Sequence, residues 1–548
     1  MPPENTVEDP QPVSPDNQST GVDAQETTEI ARSASVLALG NIISRMLGLI
    51  RETVKSHYFG AGGTIDAYNI ATFVPIMLYD LLIGGMMNGA LVPVFSAFAE
   101  KDRKELWRLA SALINLVVLV LAACILILEL VAPNIARLML GGGLDTEVLE
   151  LATRLLRITV PAVFFLSLSG ILSSLLYSLK RFTYPAFTAA IFNIGVITLA
   201  LIFHREMGVS AMAAGLLFGS ILQVFLQLPG LHNSGLRFRL KLFHPGLKKV
   251  AVLYAPSLVP LLFDVLVSRS ISYRLASQTG EGGISWMGYA TYLTQLPQGL
   301  VATAISLAVL PTLSSLAASE NGKGPGEQFK KTLAQGLRLV IVLIIPAAVG
   351  LYILADPVVA LLYEHGDFTS YDTLMTAWAL RFYLLGLPFA AIDLLIVFAF
   401  YSRQDTITPS IIGVGTIVIY LLLAIGLLPT WGLFSLMIAD SFKHLLHTLI
   451  AGLLLSNRLG GLRKLGIYRT LGLVLVSVSL MGAATFGALK GIEAMFPAGG
   501  GFAEVMIVGV PALVGVGVYT GMIALFKIEE FQVLWSTLRK RLSVKGFR

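Results

Sequence analysis

The segment NIISRMLGLIRETVK, residues 41–55, combines the apolar composition of a membrane helix with four charged side chains. Arg45, Glu52 and Lys55 follow one another at helical spacing, and Arg51 lies on the adjoining line of the same helix. The remaining large side chains are apolar, so such a helix turns one charged face toward protein or water. Arginine suits phosphate because its planar guanidinium donates two parallel hydrogen bonds. The pattern predicts a cationic cavity wall that binds an anion such as a phosphorylated lipid headgroup.

The same charges have a purely structural alternative, an internal ion pair. A charge near the bilayer centre costs roughly 2.5–3.5 kcal/mol on insertion scales, so each one needs a partner or a function. Arg45 or Arg51 can pair with Glu52 or with Asp66 and only hold the helices together. The residues alone leave both interpretations open.

The overall composition is that of a membrane protein. Of the 548 residues, 55% are hydrophobic and 13% are charged, and the mean hydropathy is +0.78. A soluble domain has about 25% charged residues. Apolar stretches of roughly 20 residues, each long enough to cross a bilayer as a helix, recur from residue 31 to residue 527. The ten-residue alternation of a β-barrel is absent. We therefore predict an all-α polytopic membrane protein with about fourteen transmembrane helices.

The basic residues outside these stretches predict the orientation. The inner loops hold nearly all of them, whereas the outer loops hold Arg137, Arg205 and Lys490. The positive-inside rule then places both termini in the cytoplasm. The net charge of +6 thus follows from topology and does not indicate a nucleic-acid partner.

Residues 1–30 are predicted to form a disordered acidic cytoplasmic tail. Residues 1–29 contain acidic residues and prolines but no lysine or arginine, and they lack the basic region of a signal peptide. The lone cysteine, Cys124, excludes an intramolecular disulfide framework and a thiolate metal cluster.

The chain contains an internal duplication. When the chain is aligned with itself in one ungapped register, Pro133 meets Pro357, Arg157 meets Arg381, Tyr177-Ser178 meets Tyr401-Ser402, and Gly208 meets Gly432. In a slightly shorter register, LVPVFSAFA (91–99) also resembles VLPTLSSLA (309–317). The shift between the two copies spans an even number of predicted helices, so the two halves have the same orientation and are related by an axis along the membrane normal.

These repeats predict two parallel lobes of six helices, residues 31–235 and 250–456, joined by a basic cytoplasmic linker at 236–249. Two additional transmembrane helices follow at 457–527, and a basic cytoplasmic tail at 528–548. Substrates of such proteins bind between the lobes, which rock to expose them to one side and then the other. The architecture indicates a transporter that works by alternating access.

Asp264 and Asp393 are carboxylates inside predicted spans of the second lobe. Each is a candidate coupling-ion site that binds Na⁺ or exchanges a proton, and each can equally pair with Arg269 or Arg381. The membrane potential is the other candidate driving force, and no cofactor is expected. The seven histidines form no HExxH motif, and Walker and GxSxG motifs are absent. We therefore expect no catalytic residues and no resident metal, and a protein that is not an enzyme.

Several motifs resemble the MurJ/MviN family of lipid II flippases. SRMLGLIRE (44–52) and FGAGGTIDAY (59–68) resemble the family's opening signature, and KRFTYPAF (180–187), SWMGYA (285–290) and FYSRQDTITP (400–409) resemble later motifs. The similarity covers nearly all of residues 31–530. The resemblance implies fourteen spans, two six-helix lobes and a charged central cavity that accepts the diphosphate and sugars of lipid II. It also implies kinship with multidrug exporters and oligosaccharide-lipid flippases.

By motif match, the resemblance puts Arg45, Arg51 and Asp66 at the family's first-lobe cavity charges. The chain departs from the family pattern at Tyr79 and Tyr292, which stand where cavity arginines are usual, and at Gln295, which replaces an acid. A tyrosine cannot neutralise a diphosphate, so Arg45 and Arg51 are expected to supply nearly all of the positive charge. The predicted substrate-binding residues are Arg45, Arg51, Glu52, Asp66, Tyr79, Tyr292 and Gln295.

The expected function is transfer of lipid II from the inner to the outer leaflet of the cytoplasmic membrane. The alternatives are a flippase or exporter of the same fold for another oligosaccharide-lipid or amphiphile, and a scaffold for cell-wall synthesis that does not transport. The expected partners are a polyprenyl diphosphate sugar, membrane lipids and proteins of cell-wall synthesis or division. The protein is expected to be a monomer.

Overall fold

The computed structural model describes residues 19–141, 146–232, 234, 241–319, 326–462, 465–496, 500–528 and 530. Every regular element in these ranges is helical, which confirms the all-α membrane fold. Twelve helical segments of the described chain are long and apolar enough to cross a membrane. Two more long helical segments, residues 19–59 and 245–277, carry more charge. The number fourteen therefore stays a prediction.

The helices of the first half are α1 (Ser19–Phe59), α2 (Gly63–Tyr79), α3 (Val92–Lys101), α4 (Arg103–Leu140), α5 (Thr146–Thr159), α6 (Ala162–Ser178), α7 (Thr183–Ala186), α8 (Thr188–Met207) and α9 (Ser210–Gln227). We use "outer end" for the end of the bundle where α1 ends and α2 begins, and "inner end" for the end where α3 meets α4. The names follow the distribution of basic residues described above.

The helices of the second half are α10 (Pro245–Leu262), α11 (Ser270–Ser277), α12 (Gly283–Pro297), α13 (Ala304–Ser319), α14 (Glu327–Ile353), α15 (Ala355–Tyr363), α16 (Ser370–Ser402), α17 (Ile407–Trp431) and α18 (Phe434–Arg458). Two further helices, α19 (Ile467–Met495) and α20 (Gly501–Leu525), follow at the predicted place. They pack on each other and on α14, where the Tyr519 hydroxyl donates to the Val342 carbonyl at 2.5 Å.

The first helix begins earlier than predicted. It starts at Ser19, so residues 19–30, which were assigned to the disordered tail, continue α1, while residues 1–18 lie outside the described chain. No proline stands between Pro15 and Pro75, and therefore no residue in this stretch removes a helical N–H donor.

In the part of the chain that the structure describes, three spans pass through π-helical turns on their way across the bundle. The turns are Asp80–Gly84 and Met87–Leu91 after α2, Phe263–Arg269 between α10 and α11, and Gln298–Thr303 after α12. A π-helical turn bonds i to i+5 and therefore changes the direction of the side chains that follow, and such turns are frequent at functional sites.

The duplication is visible in the backbone. Residues that are aligned with each other in the first register of the repeat have matching conformations. Lys180 and Gln404 have φ values of 58° and 61°, and Gly208 and Gly432 have 56° and 50°. Positive φ is rare for a residue with a side chain. Matching conformations at matching positions support the two-lobe repeat.

Replacing Gly208 or Gly432 with alanine should destabilise the protein by a similar amount. Both glycines end a helix with ψ near −141° and −132°, a region that is almost confined to glycine. We expect each alanine variant to lose about 1–3 kcal/mol of unfolding free energy, seen as a lower midpoint of thermal unfolding in detergent. Gly426→Ala is the control, because Gly426 lies inside α17 with open space around it. A loss at only one of the two positions would argue against their equivalence.

Helix α10 packs on the first lobe. Val250 and Tyr254 of α10 join a buried cluster that includes Leu106 of α4 and Leu175 of α6, and the Tyr254 hydroxyl donates to the Leu81 carbonyl. These contacts cross the predicted lobe boundary at residue 250, and the boundary itself stays a prediction.

Candidate functional site

A cavity of about 590 Å³ lies between the two lobes. Side chains from α1 and α2 form one wall, and side chains from α11, α12, α16, α18 and the π-helical turn Phe263–Arg269 form the other. Among the described residues, four cationic side chains line it (Arg51, Lys55, Arg269 and Lys443) together with three carboxylates (Glu52, Asp264 and Asp440). Four positive and three negative charges leave a net charge of +1 when His444, also on the wall, is neutral.

Arg51, Glu52 and Lys55 form one compact group on the first-lobe wall, called the Arg51 cluster below. Arg51 Nη2 lies 2.7 Å from Glu52 Oε1, and Lys55 Nζ contacts the other carboxylate oxygen. Arg51 Nη1 also donates to Asn193 Oδ1 at 3.0 Å. The Glu52 and Lys55 side chains are 7% and 5% exposed, whereas that of Arg51 is 23% exposed. One buried carboxylate thus serves two cations, and the surplus positive charge borders the cavity.

Both interpretations of the charged stretch are therefore realised at Arg51. The guanidinium forms an internal pair with Glu52 and also lines the cavity. The geometry is compatible with anion binding at Arg51, which stays a prediction.

Arg45 lies at the contact between α1 and α12 and outside the lining of the cavity. Its Nη1 donates to the Gln295 carbonyl at 2.9 Å, and the Tyr292 hydroxyl donates to the Arg45 carbonyl at 3.2 Å. The guanidinium packs so closely on Gly299 that a Cβ there would overlap it. No carboxylate among the described residues pairs with Arg45, and its Nε is buried without a hydrogen-bond partner.

Asp66 is fully buried at the outer end and does not line the cavity. Its carboxylate accepts hydrogen bonds from the Gly282 N–H at 2.8 Å, the Ser285 N–H at 2.8 Å and the Ser285 hydroxyl at 2.6 Å. The first N–H groups of a helix lack partners within the helix, so a carboxylate on α2 caps the start of α12. The predicted cavity position of Asp66 is replaced by a contact between the lobes.

Tyr79 and Tyr292, which the resemblance puts where cavity arginines are usual, are in different surroundings. Tyr292 and Gln295 line the cavity beside the Arg51 cluster. Tyr79 does not line it, because its ring lies against Gly170 of α6. The structure thus brings Arg51, Glu52, Tyr292 and Gln295 together and leaves Tyr79 apart.

The two candidate coupling-ion residues also differ. Asp264 lines the cavity, and its Oδ2 accepts from Arg269 Nε at 3.1 Å. Asp393 lies outside the lining, with Oδ1 2.6 Å from His447 Nδ1 on α18. The predicted alternative partner Arg269 is therefore found for Asp264, whereas Arg381 pairs with Asp356 instead.

The cavity contains cations that the predicted site omitted: Lys55, Arg269 and Lys443. The expectation that Arg45 and Arg51 supply nearly all the positive charge was wrong for this reason. Lys443 Nζ lies 2.6 Å from Asp440 Oδ1, and both residues line the cavity with His444. The spacing of Asp440, Lys443 and His444 along α18 was the available signal, since it puts three polar side chains on one helical face.

Hydrogen bonds join the lobes at both ends of the cavity. At the outer end, the Tyr289 hydroxyl donates to the Gly60 carbonyl at 2.8 Å, and the Asp367 N–H donates to the His57 carbonyl at 3.1 Å. At the inner end, Tyr254 of α10 bonds the backbone of the turn Asp80–Gly84. The geometry is that of a charged chamber between two lobes that contact each other at both ends.

Comparison with known proteins gives consistent matches over most of the chain. A family model described as lipid II flippase MurJ matches residues 55–500. The lipid II flippase MurJ of Burkholderia cenocepacia is 31% identical over 460 residues, which cover 81% of this chain and 86% of that protein. A probable lipid II flippase MurJ of Bdellovibrio bacteriovorus is 28% identical and covers 92% of this chain and 96% of that protein.

Solved structures match as well. A lipid II flippase MurJ in an inward closed conformation has a TM-score of 0.73 at 25% identity, covering 89% of this chain and 98% of that one. An inward-facing multidrug resistance transporter of the MATE family has a TM-score of 0.64 at 17% identity, covering 78% of this chain and 99% of that one. The second likeness concerns the fold alone.

Proposed function

The chain belongs to the MurJ family of lipid II flippases, and we propose that it moves lipid II from the inner to the outer leaflet of the cytoplasmic membrane by alternating access. The diphosphate and sugars would enter the chamber between the lobes while the polyprenyl tail stays in the acyl region. The chain's own residues would bind and reorient the headgroup, with no covalent step.

The Arg51 cluster is the observation that supports this proposal most directly. Two cations share one carboxylate at the edge of the cavity, so an anion entering there meets an uncompensated positive charge. Arginine can donate two parallel hydrogen bonds to phosphate oxygens. A diphosphate satisfies the cluster better than a neutral or cationic drug would.

Arg45 adds a second unsatisfied cation close by. A half-buried guanidinium with no carboxylate partner is costly in a low-dielectric environment, and Arg45 has none among the described residues. Its position at the α1–α12 contact, beside the cavity residues Tyr292 and Gln295, lets it reach an anion at the border between headgroup and tail.

Replacing Arg45 with alanine tests the proposal. We expect the initial rate of lipid II transfer in proteoliposomes to fall about tenfold or more, as expected for the loss of one charged hydrogen bond to phosphate. The midpoint of thermal unfolding should change little, because only one described hydrogen bond, to Gln295, is lost. Arg205→Ala, at the exposed outer end of α8, is the matched control.

Three outcomes separate the rival functions. Transfer of lipid II by the wild type and its loss in Arg45→Ala support the proposal. Transfer of another lipid-linked oligosaccharide but not of lipid II would favour a different substrate. Binding of lipid II without any transfer would leave only the scaffold.

For the coupling ion, we propose a site at Asp264 and not at Asp393. Asp264 borders the cavity and shares its arginine with a second carboxylate, Asp80, so a Na⁺ ion or a proton would reduce a local excess of negative charge. Asp393 already has a close partner in His447. Transfer rates measured with and without a Na⁺ gradient, and at different pH values, should respond. If neither changes the rate, the membrane potential remains as the driving force.

The remaining features of the proposal concern the cell. We propose that both termini lie in the cytoplasm, that the protein works as a monomer, and that its cytoplasmic surfaces meet proteins of cell-wall synthesis or division. The distribution of basic loops supports the orientation.

A further inference from the structure

An ion pair joins the two lobes where α10 meets the first lobe. Arg269, the last residue of the π-helical turn Phe263–Arg269, holds Nη1 3.6 Å from Asp80 Oδ2. Asp80 begins the π-helical turn Asp80–Gly84 of the other lobe. Arg269 also donates from Nε to Asp264 within its own turn. We call Asp80, Arg269 and Asp264 the Arg269 group.

The charge balance of the Arg269 group is the reverse of that in the Arg51 cluster. Here two carboxylates share one cation, whereas in the Arg51 cluster two cations share one carboxylate. When the chain is aligned with itself so that residues 91–99 match residues 309–317, Arg51 also aligns with Arg269. The two arginines line opposite walls of one cavity.

The bond to Asp80 is suited to exchange. The side chains of Arg269, Asp80 and Asp264 are 48%, 33% and 35% exposed, so water screens their attraction. Ion pairs with this exposure contribute little to stability. The Asp80 contact is also too long for a hydrogen bond, and it is therefore the weaker of the two bonds of Arg269. A diphosphate in the cavity offers more charge and better geometry than Asp80 does.

We propose that Arg269 is a substrate-positioning residue that pairs with Asp80 while the cavity is empty and turns to the phosphates when lipid II enters. The exchange removes the ionic contact between the lobes beside the Tyr254–Leu81 hydrogen bond, so Asp80 and the substrate compete for one guanidinium. This inference rests on the proposed function, since the displacing anion is the diphosphate of the substrate.

The full-length protein in proteoliposomes tests the exchange through the KM for lipid II. Asp80→Asn removes the competing carboxylate, and we expect KM to fall about two- to fivefold. Arg269→Gln removes the donor to phosphate, and we expect KM to rise about tenfold. Asp356→Asn breaks the Arg381 pair, which lies within the second lobe, and should leave KM unchanged. An unchanged KM in both test variants would overturn the proposal.

Amide hydrogen exchange measures the contact between Asp80 and Arg269 independently of substrate binding. Residues 80–91 and 250–262 should exchange faster in Asp80→Asn than in the wild type. The swapped variant D80R/R269D should restore slow exchange and yet transport poorly, because its cavity wall now carries a carboxylate in place of the guanidinium. Fast amide hydrogen exchange in the swapped variant would show that the pair between positions 80 and 269 does not hold the lobes together.

Inorganic pyrophosphate distinguishes this proposal from the proposed function. It should speed exchange of the same segments in the wild type and not in Arg269→Gln. If pyrophosphate has this effect but lipid II is not transferred, the change of partner at Arg269 is supported and the flippase proposal fails. If lipid II is transferred but neither lipid II nor pyrophosphate changes the rate of amide hydrogen exchange in these segments, the Arg269 proposal alone is wrong.

Discussion

Replacing Arg51 with alanine is expected to lower the initial rate of lipid II transfer by about 100-fold or more. The change removes the exposed member of the Arg51 cluster and leaves Glu52 and Lys55 as a neutral buried pair. The surplus positive charge disappears together with the two-pronged donor to phosphate. The measurement is transfer of lipid II across proteoliposomes that contain equal amounts of each variant.

Two further variants show whether charge or geometry matters at this position. Arg51→Lys keeps the charge but loses the planar fork and the bond to Asn193, so an intermediate rate is expected. Lys490→Ala, which breaks an exposed pair with Glu493 at the end of α19, is the control and should transport normally. A normal rate in Arg51→Ala would mean that the cluster only joins helices.

The spacing of charges along one helix was enough to predict the first-lobe wall. Arg51, Glu52 and Lys55 are close in sequence, and an α-helix fixes their relative positions. The same holds for the polar face of α18, where Asp440, Lys443 and His444 are neighbours. The repeat and the membrane fold were predictable for a similar reason, since both depend on periodicity within one chain.

Partners that are distant in sequence were beyond such reasoning. Asp66 is held by Gly282 and Ser285, which lie in the other lobe, and Asp393 is held by His447 of another helix. Arg269 reaches Asp80 across the lobes, and each stands on a π-helical turn. If such a span is assumed to be a regular α-helix, the side chains that follow the π-helical turn are assigned to the wrong face.

The positive charge of the cavity comes both from neighbours along one helix and from residues that are distant in sequence. By the resemblance, Tyr79 and Tyr292 stand where cavity arginines are usual, which predicted a cavity dependent on Arg45 and Arg51. The structure instead distributes cations over both lobes, with Lys55, Arg269 and Lys443 on the walls. The positive charge of the cavity therefore cannot be inferred from single motif positions, because it depends on cations from both lobes.

Replacing Asp66 with asparagine is expected to open the outer end and to abolish transfer. The carboxylate accepts three hydrogen bonds from the start of α12, and an amide nitrogen in place of one oxygen cannot accept any. Each buried donor left unpaired costs about 1–3 kcal/mol, whereas the size of the side chain is unchanged. Because alternating access requires one end to close while the other opens, a chamber that cannot close at the outer end should not transport.

Chemical labelling can measure this opening directly. Ser277 is buried at the outer contact, where its hydroxyl donates to the Leu140 carbonyl of α4 at 2.9 Å. In a Cys124→Ser background, a cysteine introduced by Ser277→Cys should react with a membrane-impermeant maleimide about tenfold faster or more when Asp66→Asn is present, as expected for the loss of one buried hydrogen bond. Ser285→Ala removes one of the three donor groups and should give an intermediate rate. Equal labelling with and without Asp66→Asn would show that the outer closure depends on the backbone contacts at Gly60 and Asp367 and not on this carboxylate.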